Sequence, residues 1–227
     1  MAEMPIEPRL TAALLKSYEF GCGEEMLSIA AMSSVEYPFL PLKKNSYYPG
    51  SNLNEKQRKI IKDTEQFIVP GSDHLTLLQI YNAFTESGYT SSWCDTFSLQ
   101  YKILSRAKEV RKNLSNMLKQ FSAKREGYVI SSCRDDHSSI LKCLVCGYFS
   151  HAAKLYHDGS YRTIRGNVMV TAYYTSVIAK FGSPPEWIIY NEMFFSNDTV
   201  GTQIREISKI DPTWLLEYAK HYYSLKQ

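Results

Sequence analysis

Apolar residues recur at helical spacing through the first two thirds of the chain and then switch to strand-like alternation. From Pro8 to Met32 the pattern predicts helix. Leu10, Leu14 and Leu15 share one stripe, Met26, Leu27, Ile29, Ala30 and Ala31 form a second, more buried segment, and Gly21 and Gly23 punctuate the join. Residues 35–49 carry Pro38, Pro41 and Pro49 with no period and read as a loop. A basic helical stretch follows over Glu55-Lys-Gln-Arg-Lys-Ile-Ile-Lys. After the breaker Pro70-Gly71, Asp73 is placed to cap a helix through Leu75, Leu77, Leu78, Ile80, Tyr81 and Phe84, which Gly88 ends. The longest helical stretch begins near Trp93 and runs past Phe121, with Ile103, Ala107, Val110, Leu114 and Leu118 along one face. A polar gap from Lys124 to His137 then leads into an apolar helix over Ile140–Ala153.

The character changes after Leu155. Asp158-Gly159 is a hairpin-grade turn, and the segments at Tyr161–Ile164, Val168–Tyr174, Trp187–Phe195 and Thr202–Ser208 are rich in β-branched and aromatic residues. Gly166-Asn167, Ser183-Pro184-Pro185 and Ser196-Asn197-Asp198 separate the later ones. Four or five short strands in so little chain predict a small barrel. Asp211-Pro212 then starts a final helix, with Asp211 as N-cap and Pro212 in the first turn.

Composition adds a core and a charge pattern. The chain has 227 residues, 44% hydrophobic and 22% charged, close to the averages for folded soluble domains, so wholesale disorder is excluded. No run approaches the roughly 20 apolar residues that cross a bilayer, and the N-terminus lacks the basic and apolar regions of a secretory signal, so no membrane partner is expected. The net charge of +3 hides two basic stretches. Residues 99–125 hold Lys102, Arg106, Lys108, Arg111, Lys112, Lys119, Lys124 and Arg125 against Glu109, and residues 43–62 hold Lys43, Lys44, Lys56, Arg58, Lys59 and Lys62 against Glu55. Clustered cations on a helix fit phosphate contact, though many such runs are simply solvated helix faces.

Catalytic chemistry has no footing. The phosphate-binding G-x-x-x-x-G-K-S/T is absent, as are G-x-G-x-x-G, H-E-x-x-H and G-x-S-x-G. Asp135-Asp136-His137 lies in the polar linker, His74 reads as support for a helix start, and His151, His157 and His221 have no partner at ligand spacing. Five cysteines, an odd number, point to reduced thiols and an intracellular setting. Cys143 and Cys146 form a C-x-x-C, but on an apolar helix without a second pair, so both read as structural.

Eight blocks carry a resemblance. Met1-Ala-Glu-Met-Pro-Ile-Glu-Pro-Arg-Leu, Cys22-Gly-Glu-Glu-Met-Leu-Ser-Ile-Ala-Ala-Met, Ser72-Asp-His-Leu-Thr-Leu-Leu-Gln-Ile-Tyr-Asn-Ala-Phe and Ser92-Trp-Cys come first. Arg106-Ala-Lys-Glu-Val-Arg-Lys-Asn-Leu, Lys142-Cys-Leu-Val-Cys-Gly-Tyr-Phe-Ser-His-Ala-Ala, Pro185-Glu-Trp-Ile-Ile-Tyr-Asn-Glu and Ile210-Asp-Pro-Thr-Trp-Leu-Leu-Glu follow. In this order they resemble the C-terminal accessory region of DEAH-box RNA helicases. The resemblance implies an α+β chain: an all-α helicase-associated (ratchet) bundle over residues 1–154, opening on a remnant of a winged helix, then an OB-fold barrel with a C-terminal helix over 155–227. It implies that Met1 is an internal methionine, an expression start or a truncated gene boundary. ATP and magnesium would belong to motor domains elsewhere in the parent polypeptide, leaving this fragment with no catalytic residue, cofactor or metal of its own.

The same resemblance implies partners and a setting. They are single-stranded RNA, the motor domains, and an activator protein with a glycine-rich patch docking on the OB-fold, in pre-mRNA splicing or other RNA processing in the nucleus. Rings that stack on bases and cations that follow phosphates are the residue types such a platform needs. Arg162, Arg165, Tyr173, Tyr174 and Lys180 are the candidates on the barrel, and Arg106, Lys108, Arg111 and Lys112 on the long helix. If the region is chiefly a protein-docking module instead, Phe194, Phe195, Tyr222 and Tyr223 are its anchors. Trp93, Trp187 and Trp214 read as core anchors. The family's usual His-Pro-Ser-Ser is replaced here by Tyr173-Tyr174-Thr175-Ser176.

Overall fold

A computed structural model describes residues 4–47, 51–181, 183–196 and 201–224. Residues 1–3, Pro49 and the expected turn at Asn197-Asp198 lie outside the described residues. The chain begins with α1 (Pro8–Lys16), its proline in the first turn where a missing N–H costs nothing. A short 3-10 turn ends at Gly21, whose left-handed φ of +64° redirects the chain into α2 (Gly23–Ser33). After the proline-rich loop comes α3 (Glu55–Glu65), started by a capping box: the Asn54 side chain accepts from Gln57 N, and the Gln57 side chain accepts from Asn54 N.

The next helix, α4 (Asp73–Glu86), differs from expectation at its first turn. Ser72, in extended conformation, is the N-cap and accepts from Leu75 N at 3.1 Å. Asp73 is already helical, and its carboxylate turns away to reach the barrel. The long helix expected from Trp93 is also broken, into α5 (Ser91–Thr96) and α6 (Tyr101–Ser122). At the break Ser98 has φ +54° and its hydroxyl donates to the Asp63 carboxylate. The freed backbone pairs with the proline-rich loop instead: Leu40 N donates to Ser98 O, and Gln100 N to Pro38 O. Gln100 Nε2 also donates to the carbonyls of Tyr37 and Phe39. Tertiary hydrogen bonds outcompete helical continuity here.

α7 (His137–Tyr148) is capped by Asp136 and ends five residues before the expected Ala153. Ala152 and Ala153 are already strand. The strands are β1 (Ala152–Leu155), β2 (Tyr161–Thr163), β3 (Met169–Ala172), then a one-turn helix α8 (Val177–Lys180), β4 (Trp187–Ser196) and β5 (Gly201–Lys209). They close as a barrel in the order β1-β2-β3-β5-β4, with β3 and β5 parallel and the other pairs antiparallel. Asp211 caps α9 (Pro212–Tyr218), as expected. The architecture is thus a helical region followed by a small closed barrel and a terminal helix, and among the described residues no helix is long and apolar enough to cross a membrane.

One apolar core joins the two parts. Leu10, Leu14, Met26, Leu27, Leu114, Ile140, Leu144 and Tyr148 from the helices pack with Ala152, Ile189, Ile210 and Leu215 from the barrel and α9. A second core, Met32, Phe39, Phe67, Ile80, Phe84, Leu99 and Leu104, lies under the proline-rich loop. A third, with Tyr161, Val170, Ile188, Ile204 and Ile207, fills the barrel. Trp93, Trp187 and Trp214 pack at the edges of these cores. α1 and α7 touch closely at Gly147, where Cys143 Sγ also donates to Ala13 O.

A Cβ at Gly147 would sit 2.3 Å from the Arg9 carbonyl oxygen and 2.8 Å from Ala13 Cβ, both fixed parts of a helix. Gly147→Ala is therefore expected to cost about 2–3 kcal/mol, the upper part of the overpacking range. Urea denaturation of the two proteins measures it.

Candidate nucleic-acid interface

A cleft of about 630 Å3 opens between the helical part and the barrel. Its helical wall is made by Tyr37 and Tyr47 from the proline-rich loop, Asp73 at the start of α4, and Arg106 on α6. Tyr173, Tyr174, Thr175 and Ser176 from the β3–α8 connection, Lys180 at the end of α8, and Asn191, Arg205 and Glu206 on β4 and β5 make the other wall.

Asp73 holds the walls in register. Its carboxylate accepts from Ser176 Oγ at 2.7 Å, Val177 N at 2.7 Å and Ile207 N at 2.8 Å, so one side chain ties α4 to α8 and β5. Burial pushes its carboxyl above the usual range while these bonds and nearby Lys180 pull it down. Its neighbours join in: Ser72 Oγ shares a hydrogen bond with Ser208 Oγ at 2.6 Å, and His74 Nδ1 meets the same hydroxyl at 2.8 Å. Burial pushes His74 down to about 4, so the ring is neutral at physiological pH.

Tyr47, Tyr173 and Tyr174 line the cleft, and the ring series continues beyond it to Phe194. Tyr173 and Tyr174 have ring centroids 4.4 Å apart, Tyr174 and Tyr47 5.9 Å, and Tyr173 and Phe194 5.3 Å. Lys180 Nζ lies 3.8 Å from the Tyr47 ring centroid and 5.9 Å from that of Tyr37. Burial pushes Tyr47 up to about 12 and Lys180 down to about 8. Glu206 stands in the strand with φ +52°, an uncommon conformation for a residue with a Cβ, and accepts from Asn191 Nδ2 at 2.8 Å. Burial pushes its carboxyl up to about 7.

The sequence-named cations separate. Helix geometry places Arg106 toward the large cleft, while Lys108, Arg111 and Lys112 line a shallower groove of about 280 Å3 with Tyr81, Tyr89, Ser115, Asn116 and Lys119. Lys108 Nζ sits 3.9 Å from the Tyr89 centroid. Arg111 donates to the Glu24 carboxylate at 2.6 Å and to Ser28 Oγ at 2.9 Å, tying α6 to α2. Arg162 pairs with Asp158 at 3.6 Å and lies over Tyr156, and Arg165 donates to Tyr222 Oη at 3.0 Å; neither lines the large cleft. Of the docking candidates, Phe195 is 68% exposed, whereas Phe194 packs on Tyr173. Tyr222 packs against Phe149, and Tyr223 donates to the Phe149 carbonyl. Sequence reasoning named neither Tyr37, Tyr47 nor Glu206. Two tyrosines in a loop packed with prolines were the available sign.

Comparison with known proteins now decides the family. Residues 7–77 match the family described as "Helicase associated domain (HA2), ratchet-like", and residues 140–222 match "Oligonucleotide/oligosaccharide-binding (OB)-fold". Over 224 residues, 98% of the chain, it is 36% identical to human "Probable ATP-dependent RNA helicase DHX35", covering 29% of that protein. It is 34% identical over 224 residues to "Pre-mRNA-splicing factor ATP-dependent RNA helicase prp22" of Schizosaccharomyces pombe, covering 98% of the chain and 17% of that relative. The chain belongs to the ratchet-plus-OB region of the DEAH-box RNA helicases. It spans under a third of the length of these relatives. In this DEAH-box region the cleft therefore lies where ratchet and OB-fold meet.

Glu206 gives the interface a pH signature. Its carboxyl goes from an ordinary 4.5 to about 7 in the folded chain, so ionising it as pH rises through that window destabilises the fold. Glu206→Gln is expected to leave the melting temperature unchanged near pH 5 and to raise it progressively toward pH 8. His74 acts in the opposite direction, its contribution being lost as pH falls from 6.5 toward 4, and is common to both proteins. Differential scanning calorimetry of the pair across pH 5–8 checks the difference.

Proposed function

We propose that this chain is the RNA-gripping accessory region of an ATP-dependent RNA helicase, closing an RNA channel over motor domains that bind ATP and magnesium. The cleft between ratchet and OB-fold is its single-stranded RNA track. The observation that carries this reading is the convergence of Arg106 from α6 with Tyr173, Tyr174 and Lys180 from the barrel on one cleft. A groove with cations for phosphates and a run of rings for bases is the general requirement of sequence-tolerant single-strand binding. The relatives' names, RNA helicase and pre-mRNA-splicing factor, support splicing or related RNA processing in the nucleus as the setting. A second reading, docking of an activator protein on the OB-fold, is favoured by the exposed side chains of Phe195 and Met193 on β4.

Fluorescence anisotropy with a labelled single-stranded RNA, titrated with the chain at about 50 and about 200 mM salt, tests the first reading. Affinity should fall as salt rises. Arg106→Ala should weaken binding several-fold and flatten the salt slope by about 0.7, the value of one phosphate contact on a single strand. Arg162→Ala, at the distant hairpin, should change neither. Absence of binding at low salt, or binding indifferent to salt, overturns the reading.

A further inference from the structure

A buried ammonium normally has anionic or carbonyl oxygens around it, because each of its three N–H donors costs free energy when left unmade. Lys180 does not meet this rule. Its Nζ is shielded from solvent and has no hydrogen-bond acceptor among the described residues. Asp73 lowers the energy of the cation through its field, but its carboxylate makes its hydrogen bonds to Ser176 Oγ, Val177 N and Ile207 N. What stands against the ammonium is the face of Tyr47, with Tyr37 farther off. A ring face attracts a cation but accepts none of its three hydrogen bonds at full strength. The open cleft lies directly beside it.

We propose that Lys180 is the residue of this cleft that takes a phosphodiester oxygen, and that Tyr47 occupies the ammonium in the RNA-free state as a stand-in for that ligand. The inference rests on the reading of the cleft as an RNA track and adds to it a named contact and its regulation. Tyr47 lies in the loop between α2 and α3, and Lys180 in the OB-fold. The ring therefore fastens the loop across the cleft until a phosphate oxygen, a charged acceptor, replaces it. A charge-assisted hydrogen bond is the stronger partner, so RNA displaces the ring. Entry of RNA and release of the loop are then one equilibrium, and Tyr47 competes with RNA.

The test is a double-mutant cycle on the full chain, using a labelled 12-nucleotide oligouridine and thermal melts to verify folding. Lys180→Met keeps the stem packed and removes the charge; affinity should fall about tenfold and the salt slope flatten by about 0.7. Tyr47→Leu keeps apolar cover and removes the competing ring; affinity should rise about threefold, and this gain should vanish in the Lys180→Met background. In the NMR spectrum, the Lys180 ε-methylene protons, shielded by the Tyr47 ring, should move to ordinary positions when the oligouridine is added. If Arg106→Ala weakens binding while Lys180→Met does not, the track stands and this inference falls. If Tyr47→Leu gives no gain, or its gain persists without Lys180, the stand-in role is overturned. If the wild-type chain binds no oligouridine, both readings fall. If poly-glutamate moves the Lys180 signals and oligouridine does not, the site takes an acidic peptide and the proposal is wrong.

Discussion

The carboxylate of Asp73 sets the register on which the rest of the interface depends. Apolar packing already joins the helices to the barrel through Tyr148, Ile189, Ile210 and Leu215, but such packing is non-directional and tolerates sliding. Three hydrogen bonds from Ser176, Val177 and Ile207 to one side chain do not. Removing it would strand three buried donors at once, each costing about 1–3 kcal/mol. The bridges from Ser72 and His74 to Ser208 and the Lys209 N to Gly71 O bond extend the same seam along β5. Because the bond from Ser176 starts α8, the seam also fixes where Tyr173, Tyr174 and Lys180 stand.

The opposite wall depends on a second backbone decision. Breaking the helix at Ser98 turns its unpaired groups toward the proline-rich loop, and Gln100 then holds the carbonyls of Tyr37 and Phe39. The loop is thereby anchored on α6 at one end and reaches the barrel at Tyr47. Ratchet and OB-fold contribute to the cleft through these two constraints, and the mixed charge of the cleft follows. Asp73, Glu206, Glu36 and Glu192 supply the acids, while Arg106, Lys180 and Arg205, the last paired with Glu192, supply the cations.

Much of this fold was legible in the residues. Periodicity located α1, α2, α4 and α7, a basic stretch α3, the Asp211-Pro212 cap α9, and turn residues with β-branched runs the barrel strands, because those signals are local. The break between α5 and α6 was not legible, since the apolar stripe continues through it and the competing bonds come from residues 37–40. The choice of Ser72 over Asp73 as cap was hidden for a similar reason: both are good caps, and the barrel decides which carboxylate or hydroxyl is needed elsewhere. Ala152 and Ala153 continue the helical pattern of α7 and yet serve β1, as two small residues fit either. Within the interface, residue type singled out Arg106, Tyr173, Tyr174 and Lys180. Their separation from Arg111, Arg162 and Arg165 could come only from the three-dimensional placement of α6 and the hairpin. Tyr47 acquires significance through contacts with Tyr174 and Lys180, far away in the chain, and Glu206 through a strained backbone, neither of which a local pattern encodes.

Within Tyr173-Tyr174-Thr175-Ser176, Ser176 gives the hydroxyl that Asp73 binds, Tyr174 meets the Tyr47 ring, and Tyr173 packs on Tyr174. One short segment thus serves both the seam and the ring-lined surface of the cleft, so the proposed RNA track is to be tested there. Photo-cross-linking of the full chain to a single-stranded oligouridine containing 4-thiouridine, with the modified peptides mapped by mass spectrometry, tests this most directly. Cross-links are expected in both the Tyr37–Tyr47 and the Tyr173–Lys180 segments. Cross-links confined to the Asp158 hairpin or to Met193–Phe195, with none in those two segments, would contradict it.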